Sequence, residues 1–265
     1  MSAAEQLRDT AFALINSGFD VRVSDGVVSV RAADATTAGA GVRLSADGLD
    51  ELPSGLVEEI YWANYYAHHS RAPGSSFQAA VSERADLPRR VIDLGCGDGR
   101  DSFAFGRDGR TVVGVDRSHV GIAHASRHAA TVGLGDAVAF RQCDVGDPDQ
   151  LRSVLAEALR PDEPALFYAR FFLHSIPAAV QATLMSAIAA LARPGDHFAA
   201  EFRTTADQTR PKTYDQHYRR YQDGPEFGRT LAADYGFTVL FEHEGSGLSP
   251  YGTEDPVLYR VIARR

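Results

Sequence analysis

Apolar and polar positions follow two rhythms along this chain. Over AAEQLRDTAFALINSGF, Leu7, Phe12, Leu14 and Ile15 recur at helical spacing and Gly18 stops the run, which predicts a short amphipathic helix. VRVSDGVVSV follows, two alternating runs around Asp25-Gly26, the dipeptide that a tight hairpin prefers. A loop rich in Ala, Gly and Thr leads away from it. A further helix is predicted around SGLVEEIYWANYYAHHS, broken at Ala72-Pro73-Gly74 before SSFQAAVSE.

From residue 90 the rhythm changes to a regular exchange of strand and helix. VIDL, TVVGVD, VAFRQCD, ALFYARFFL and HFAAEFR read as strands. Between them GRDSFAFGRDG, SHVGIAHASRHAATVG, PDQLRSVLAEAL and PAAVQATLMSAIAALA read as helices. FGRTLAADYGFTVLFEHE and VLYRVIARR add a helix and two strands with no helix between them, which predicts an antiparallel strand at one edge. The fold class is therefore α/β: a doubly wound, mostly parallel seven-stranded sheet with helices on both faces. Residues 1–50 form a small N-terminal α+β accessory segment, too short for a core of its own and expected to pack on the main body (51–265) or on a second subunit. No internal repeat interrupts the pattern.

Composition narrows the function classes. The 265 residues suffice for one such domain plus an accessory piece, and 44% hydrophobic with 23% charged residues is ordinary for a globular chain. A net charge of −8 disfavours a nucleic-acid or acidic-membrane binder. No apolar run approaches the roughly 18 residues of a membrane span. MSAAEQLRDT lacks a basic stretch leading into an apolar core, so the cytoplasm is the expected compartment. Cys96 and Cys143, the two cysteines, match no zinc spacing, and neither His68-His69 nor Glu242-His243-Glu244 gives a facial ligand set; no metal is expected.

The candidate chemistry starts at VIDLGCGDGRDSFAFGRDGRTVVGVD. Gly95, Gly97 and Gly99 give G-x-G-x-G after a strand, and Arg100 stands where a dinucleotide fold wants its last glycine. A Walker-type loop would need a Lys-Ser or Lys-Thr pair, absent here. Asp93 puts a carboxylate on the ligand side, which suits a cationic ligand better than a phosphate.

These residues resemble the class I, Rossmann-like S-adenosylmethionine-dependent methyltransferases, over about residues 55 to 265. DLGCGDG resembles the family's first motif, which implies that Asp93, Gly95, Cys96 and Gly97 approach the methionine and ribose of the cofactor. GVDRS resembles the second, implying Asp116 on the ribose hydroxyls with Arg117 beside it. RQCDVGD resembles the third, implying Cys143 and Asp144 beside the adenine. YWANYYAHHS and SSF look like the helix and loop that close over the cofactor in small-molecule members, implying contacts from Tyr65, Ser76 and Phe77. Trp62, Tyr65 and Tyr66 equally suit an aromatic packing stripe.

YARFFLHSI occupies the fourth motif's place, with Arg170 assigned to the cofactor and Phe171 to the acceptor. His174 follows, either as general base or as a cap of the next helix. From Arg203 to Tyr221 the chain is locally basic: Arg203, Arg210, Lys212, Arg219 and Arg220 against Asp207 and Asp215, with Tyr214 and His217 among them. Arg203, Arg219 and Arg220 are candidates for an acceptor carboxylate or phosphate, with Tyr214 and His217 as further acceptor contacts. The bland reading is a solvated basic loop. The expected activity is methyl transfer to oxygen or nitrogen of a small, anionic metabolite or saccharide, by a protein able to form a homodimer. The alternative is a cofactor-binding fold used for other chemistry or for sensing.

Overall fold

A computed structural model describes residues 3–17, 19–24, 27–32, 41–45, 54–68, 73–212 and 218–265. The predicted hairpin turn Asp25-Gly26, the stop at Gly18, His69, Tyr214 and His217 lie outside these residues.

The N-terminal elements are α1 (Ala3–Asn16), β1 (Phe19–Ser24), β2 (Val27–Ala32) and β3 (Gly41–Ser45), the strands forming an antiparallel sheet in that order. β3 pairs with β2 in a stretch read from sequence as loop. α2 (Ser54–His68) and α3 (Ser76–Ser82) lead to the main body. There follow β4 (Arg90–Leu94), α4 (Arg100–Arg107), β5 (Thr111–Asp116), α5 (His119–Thr131), β6 (Val138–Gln142) and α6 (Pro148–Ala158). The second half is β7 (Ala165–Arg170), α7 (Ala178–Leu191), β8 (His197–Arg203), α8 (Gly224–Ala233), β9 (Thr238–Gly245) and β10 (Leu258–Arg264).

The main sheet has the order β6-β5-β4-β7-β8-β10-β9, parallel from β6 to β8. β10 runs antiparallel to both β8 and β9 and so lies one place in from the edge that β9 forms. The order reverses between β4 and β7. Their carboxyl ends therefore diverge into the crevice where such sheets bind ligands.

Alternation along the central strands builds two cores. Ile92, Leu94, Phe167 and Phe198 face α6, α7 and α8 through Leu155, Leu184 and Phe227, whereas Val91, Leu166 and Tyr168 face Val81, Phe103 and Ala125 of α3, α4 and α5. Each fully buried Leu, Ile or Phe contributes roughly 1.5–3 kcal/mol, so these strands are the rigid base of the crevice. A third cluster joins Ala11 and Ile15 of α1, Val21 and Val28 of the small sheet, and Leu56, Ile60 and Ala63 of α2, with Val120 of α5 beneath. The accessory segment thus shares its core with α2, and the packing unit runs past residue 50.

Candidate active site

The turn after β4 is shaped by glycine. Gly95 and Gly97 have φ of 71° and 58°, and a Cβ would fall 2.2 Å from the Phe172 ring and 2.6 Å from the Tyr66 ring respectively. The N–H groups of Gly95 and Cys96 donate to Val115 O, fixing the turn to β5. Asp116, at the end of β5, completes it: Oδ2 accepts from Gly97 N–H (2.9 Å) and Oδ1 from Ser118 N–H (2.8 Å). Burial raises its carboxyl, against the pull of those two N–H groups.

Two more carboxylates stand behind the turn. Asp93 is 3% exposed and accepts from the Ser102 hydroxyl at 2.6 Å. Burial, with Asp101 and Asp116 nearby, pushes its carboxyl up to about 7, against the Ser102 bond and Arg100. Asp101 accepts from Ser75 N–H (2.8 Å), the Ser75 hydroxyl (2.7 Å) and the Tyr168 hydroxyl (2.7 Å). Burial pushes Asp101 up, but Arg100, Arg170 and the two hydroxyls outweigh it and hold it below the usual range. Three carboxylates and a glycine turn without lysine fit a ligand with positive charge and ribose hydroxyls. They do not fit a pyrophosphate.

The turn opens into a cleft of about 630 Å³. One wall is α2, whose Tyr61, Trp62, Tyr65 and Tyr66 share a face. Tyr66 lies over Gly97, its phenol raised by burial and by Asp116 and Asp98. The opposite face of α2 carries Leu56, Ile60 and Ala63 into the N-terminal core, and Asn64 bonds Val21 N–H and Asp20, both at 2.8 Å. The accessory segment therefore positions the aromatic wall.

At the far end β7 stops where Phe171 takes φ 53°, so the strand read as ALFYARFFL is shorter by three residues. A bulky residue at positive φ is strained by about 1–3 kcal/mol; here Phe171 N–H donates to Glu201 O (2.8 Å) and the ring lies under the Arg170 guanidinium at 4.2 Å. Arg170 Nε is bonded to Glu201, which is fully buried and also takes Arg260 and Ser249. The cleft's remaining wall is the β9–β10 connection, which brings Ser249, Tyr251 and Glu254.

Of the residues expected from sequence, Asp93, Gly95, Cys96, Tyr65, Ser76, Arg170, Phe171, His174, Arg203 and Arg219 line this cleft. Burial beside Asp93 and Asp116 raises the Cys96 thiol well above its ordinary value, so it stays protonated. Gly97 lies beneath Tyr66 and bonds Asp116, while Arg117 and Asp144 are exposed near the ends of β5 and β6. Several expectations need correction. Phe77 is 1% exposed, stacked on Tyr168 at 5.3 Å in the core, and does not reach the cleft. Cys143 is likewise a core residue, among Val115, Leu151 and Leu173. Arg203 spends its fork on Asp207 (2.7 Å) and on Glu254, so it organises the cleft wall instead of offering itself to an anion. Arg220 bonds Leu173 O, Ile176 O and Gln181 and supports the chain behind His174. Arg219 also lines the cleft; burial and Arg203 push it down from its ordinary value. His174 Nδ1 accepts from Arg203 N–H at 3.2 Å, an arrangement opposed to a proton-accepting role.

Sequence reasoning passed over Ser75, Asp101, Tyr61, Ser249, Tyr251 and Glu254. Asp101 had a signal, an acid at the first turn of the helix after the glycines; the β9–β10 residues had none.

A family model described as a methyltransferase domain matches residues 88–158. A ubiquinone biosynthesis O-methyltransferase from Paracidovorax citrulli is 34% identical over 110 residues, 40% of this chain and 40% of that one. The match thus spans well under half the length of the curated relative. Among solved structures, a SAM-dependent methyltransferase from Anabaena variabilis superposes with TM-score 0.57 at 18% identity, covering 78% of this chain and 93% of that one. The [4+2]-cyclase SpnF superposes with TM-score 0.59 at 18% identity, covering 80% and 96%. Strand order, glycine turn and the acid closing β5 give the chain the fold of these solved methyltransferase-type structures, and residues 88–158 match a methyltransferase domain.

Proposed function

We propose that this protein transfers the methyl group of S-adenosylmethionine to oxygen or nitrogen of a small acceptor held in the cleft. One observation carries the reading: the carboxylate-and-glycine turn at the switch point opens directly into an aromatic-walled cleft that ends at Phe171, His174 and Arg219. When bound, S-adenosylmethionine supplies an electrophilic methyl on a positive sulfur. Asp116 would hold the ribose, the Gly95–Gly97 backbone the methionine chain, and Asp93 with Asp101 the positive charge. The chain's remaining task is to align the acceptor with the methyl and exclude water. The positive charge that Arg170, Arg203 and Arg219 bring to this end of the cleft supports an anionic acceptor, a carboxylate- or phosphate-bearing metabolite or saccharide. Incubation with the cofactor and fractionated metabolites should release S-adenosylhomocysteine together with an acceptor one methyl heavier.

The second reading, cofactor-dependent binding without methyl transfer, has a fold-level observation in its favour: the similar SpnF structure is that of a [4+2]-cyclase. It predicts tight cofactor binding and no S-adenosylhomocysteine with any fraction.

A further inference from the structure

Behind the cleft, β7, β8 and β10 bring together more guanidinium than carboxylate. Glu201 of β8 is fully buried opposite Arg170 of β7, and two arginines share it. Its Oε1 accepts from Arg170 Nε at 2.9 Å and its Oε2 from Arg260 Nε at 2.6 Å. The Arg170 and Arg260 side chains are 13% and 11% exposed, so two nearly buried guanidiniums against one carboxylate leave one positive charge unmatched. Arg260 is no part of the cleft wall and gives Nη2 to the Ser76 hydroxyl and to Leu248 O, both at 2.8 Å. Arg170 does line the cleft. Glu201 takes its Nε and the Phe171 ring covers one face at 4.2 Å, while among the described residues no acceptor lies within hydrogen-bond distance of its two terminal nitrogens. The pairing elsewhere in the wall is different: Arg100 has Asp101 to itself at 3.2 Å, and Arg203 has both Asp207 and Glu254. The unmatched charge therefore appears at Arg170, where leaving it uncovered is costly so far from water.

We propose that Glu201 is a positioning residue, holding Arg170 by Nε so that its two terminal nitrogens receive the carboxylate at the methionine end of S-adenosylmethionine. This rests on the methyl-transfer reading above. Arg170 follows Tyr168 by two residues on β7 and so shares its face of the sheet, and the Tyr168 hydroxyl bonds Asp101 at 2.7 Å. Arg170 also helps to hold the Asp101 carboxyl down, which places the two charges near each other. Acids and a guanidinium thus stand together beside the glycine turn, the complement of an α-amino acid, whose ammonium and carboxylate share one carbon. Two parallel N–H groups fit the two oxygens of a carboxylate. Its single charge also equals the single positive excess, whereas a phosphate dianion would leave a negative charge near Asp101. The cofactor as a whole carries one net positive charge, so this pairing leaves the acceptor end of the cleft positive.

The test compares S-adenosylmethionine with decarboxylated S-adenosylmethionine, which keeps the sulfonium and the ammonium and lacks the carboxylate. Calorimetric titration of the full-length protein with each reads the contact without turnover. Wild type should bind S-adenosylmethionine about tenfold to about a hundredfold more tightly, the size of one charge-assisted pair. Arg170→Gln should bring the two ligands to within about threefold by weakening S-adenosylmethionine alone. Glu201→Gln should cut the wild-type preference by about threefold or more with the decarboxylated ligand unchanged, and combined with Arg170→Gln it should take away nothing further, because it acts through that arginine. If Glu201→Gln does not fold, Glu201→Asp, which keeps the charge but retracts it by one methylene, should move the preference in the same direction. An Arg170→Gln protein that keeps the wild-type preference, or Glu201 variants that weaken both ligands alike, overturns the proposal; the second result is what a merely structural role would give. Wild type that binds both ligands without preference contradicts this assignment alone. Wild type that binds neither contradicts the methyl-transfer reading, and the proposal with it.

Discussion

Asp93 links cofactor binding to pH. It is buried behind the glycine turn, faces Asp101, Asp116 and Arg100, and has the Ser102 hydroxyl as its bonded partner. Its carboxyl is pushed up to about 7 by burial first and the neighbouring carboxylates second. A positive ligand favours the ionised form, so binding releases the proton. With a midpoint about 7, roughly one Asp93 in eleven is ionised at pH 6 and ten in eleven at pH 8, which makes the cofactor about tenfold weaker at pH 6, or ~1.4 kcal/mol. Asp101, held below the usual range, stays ionised across this window and adds no slope. Calorimetric titration of S-adenosylmethionine at both values measures the difference, and Asp93→Asn, which cannot ionise, should bind more weakly at pH 8 with the slope abolished. An affinity constant within twofold between the two pH values, or an unchanged slope in folded Asp93→Asn, would refute the reasoning.

The same raised carboxyl affects stability. Between the unfolded value near 3.8 and the folded value about 7 the native state binds a proton that the unfolded chain does not, so this contribution is full below the lower value and is lost as pH rises through the upper; denaturant melts of wild type and Asp93→Asn at pH 5 and pH 8 should show it only in the former. Asp116→Ala should cost roughly 1.5–3 kcal/mol of cofactor affinity by calorimetry, since it removes a carboxyl that also accepts from Gly97 and Ser118 N–H. Arg203→Ala breaks the charge-assisted bonds to Asp207 and Glu254, while Asp207 keeps Lys212 at 3.1 Å and Val257 N–H, and should destabilise the fold by about 1.5–3 kcal/mol in chemical denaturation, more than loss of a surface arginine. Deleting residues 1–50 uncovers Leu56, Ile60 and Ala63 of α2; the truncated protein should lose turnover and α2 protection in hydrogen exchange while the β4–β5 amides stay protected.

What sequence discloses here depends on how local the cause is. The strand–helix alternation and the β4–α4–β5 turn were readable because burial period, glycine conformation and a strand-end acid act within about 25 residues, Arg90 to Asp116. The break at Phe171 was not, because its positive φ is held by Glu201 and the Arg170 guanidinium, partners that pattern does not reveal. The arginines show the same limit. Arg203, Arg219 and Arg220 look alike in sequence, yet one is bound to Glu254, one lines the cleft and one braces the chain at Leu173 and Ile176. Phe77 was misplaced for a related reason: an aromatic beside a cofactor loop and an aromatic in the core share one pattern until Tyr168 is seen against it.

The most direct measurement is a crystal structure of the protein with S-adenosylhomocysteine. The ribose hydroxyls should lie on Asp116, the amino group toward Asp93 and Asp101, and the sulfur should face the cleft toward Phe171 and His174. A ligand bound elsewhere, or one whose sulfur faces away from Phe171 and His174, would contradict this arrangement.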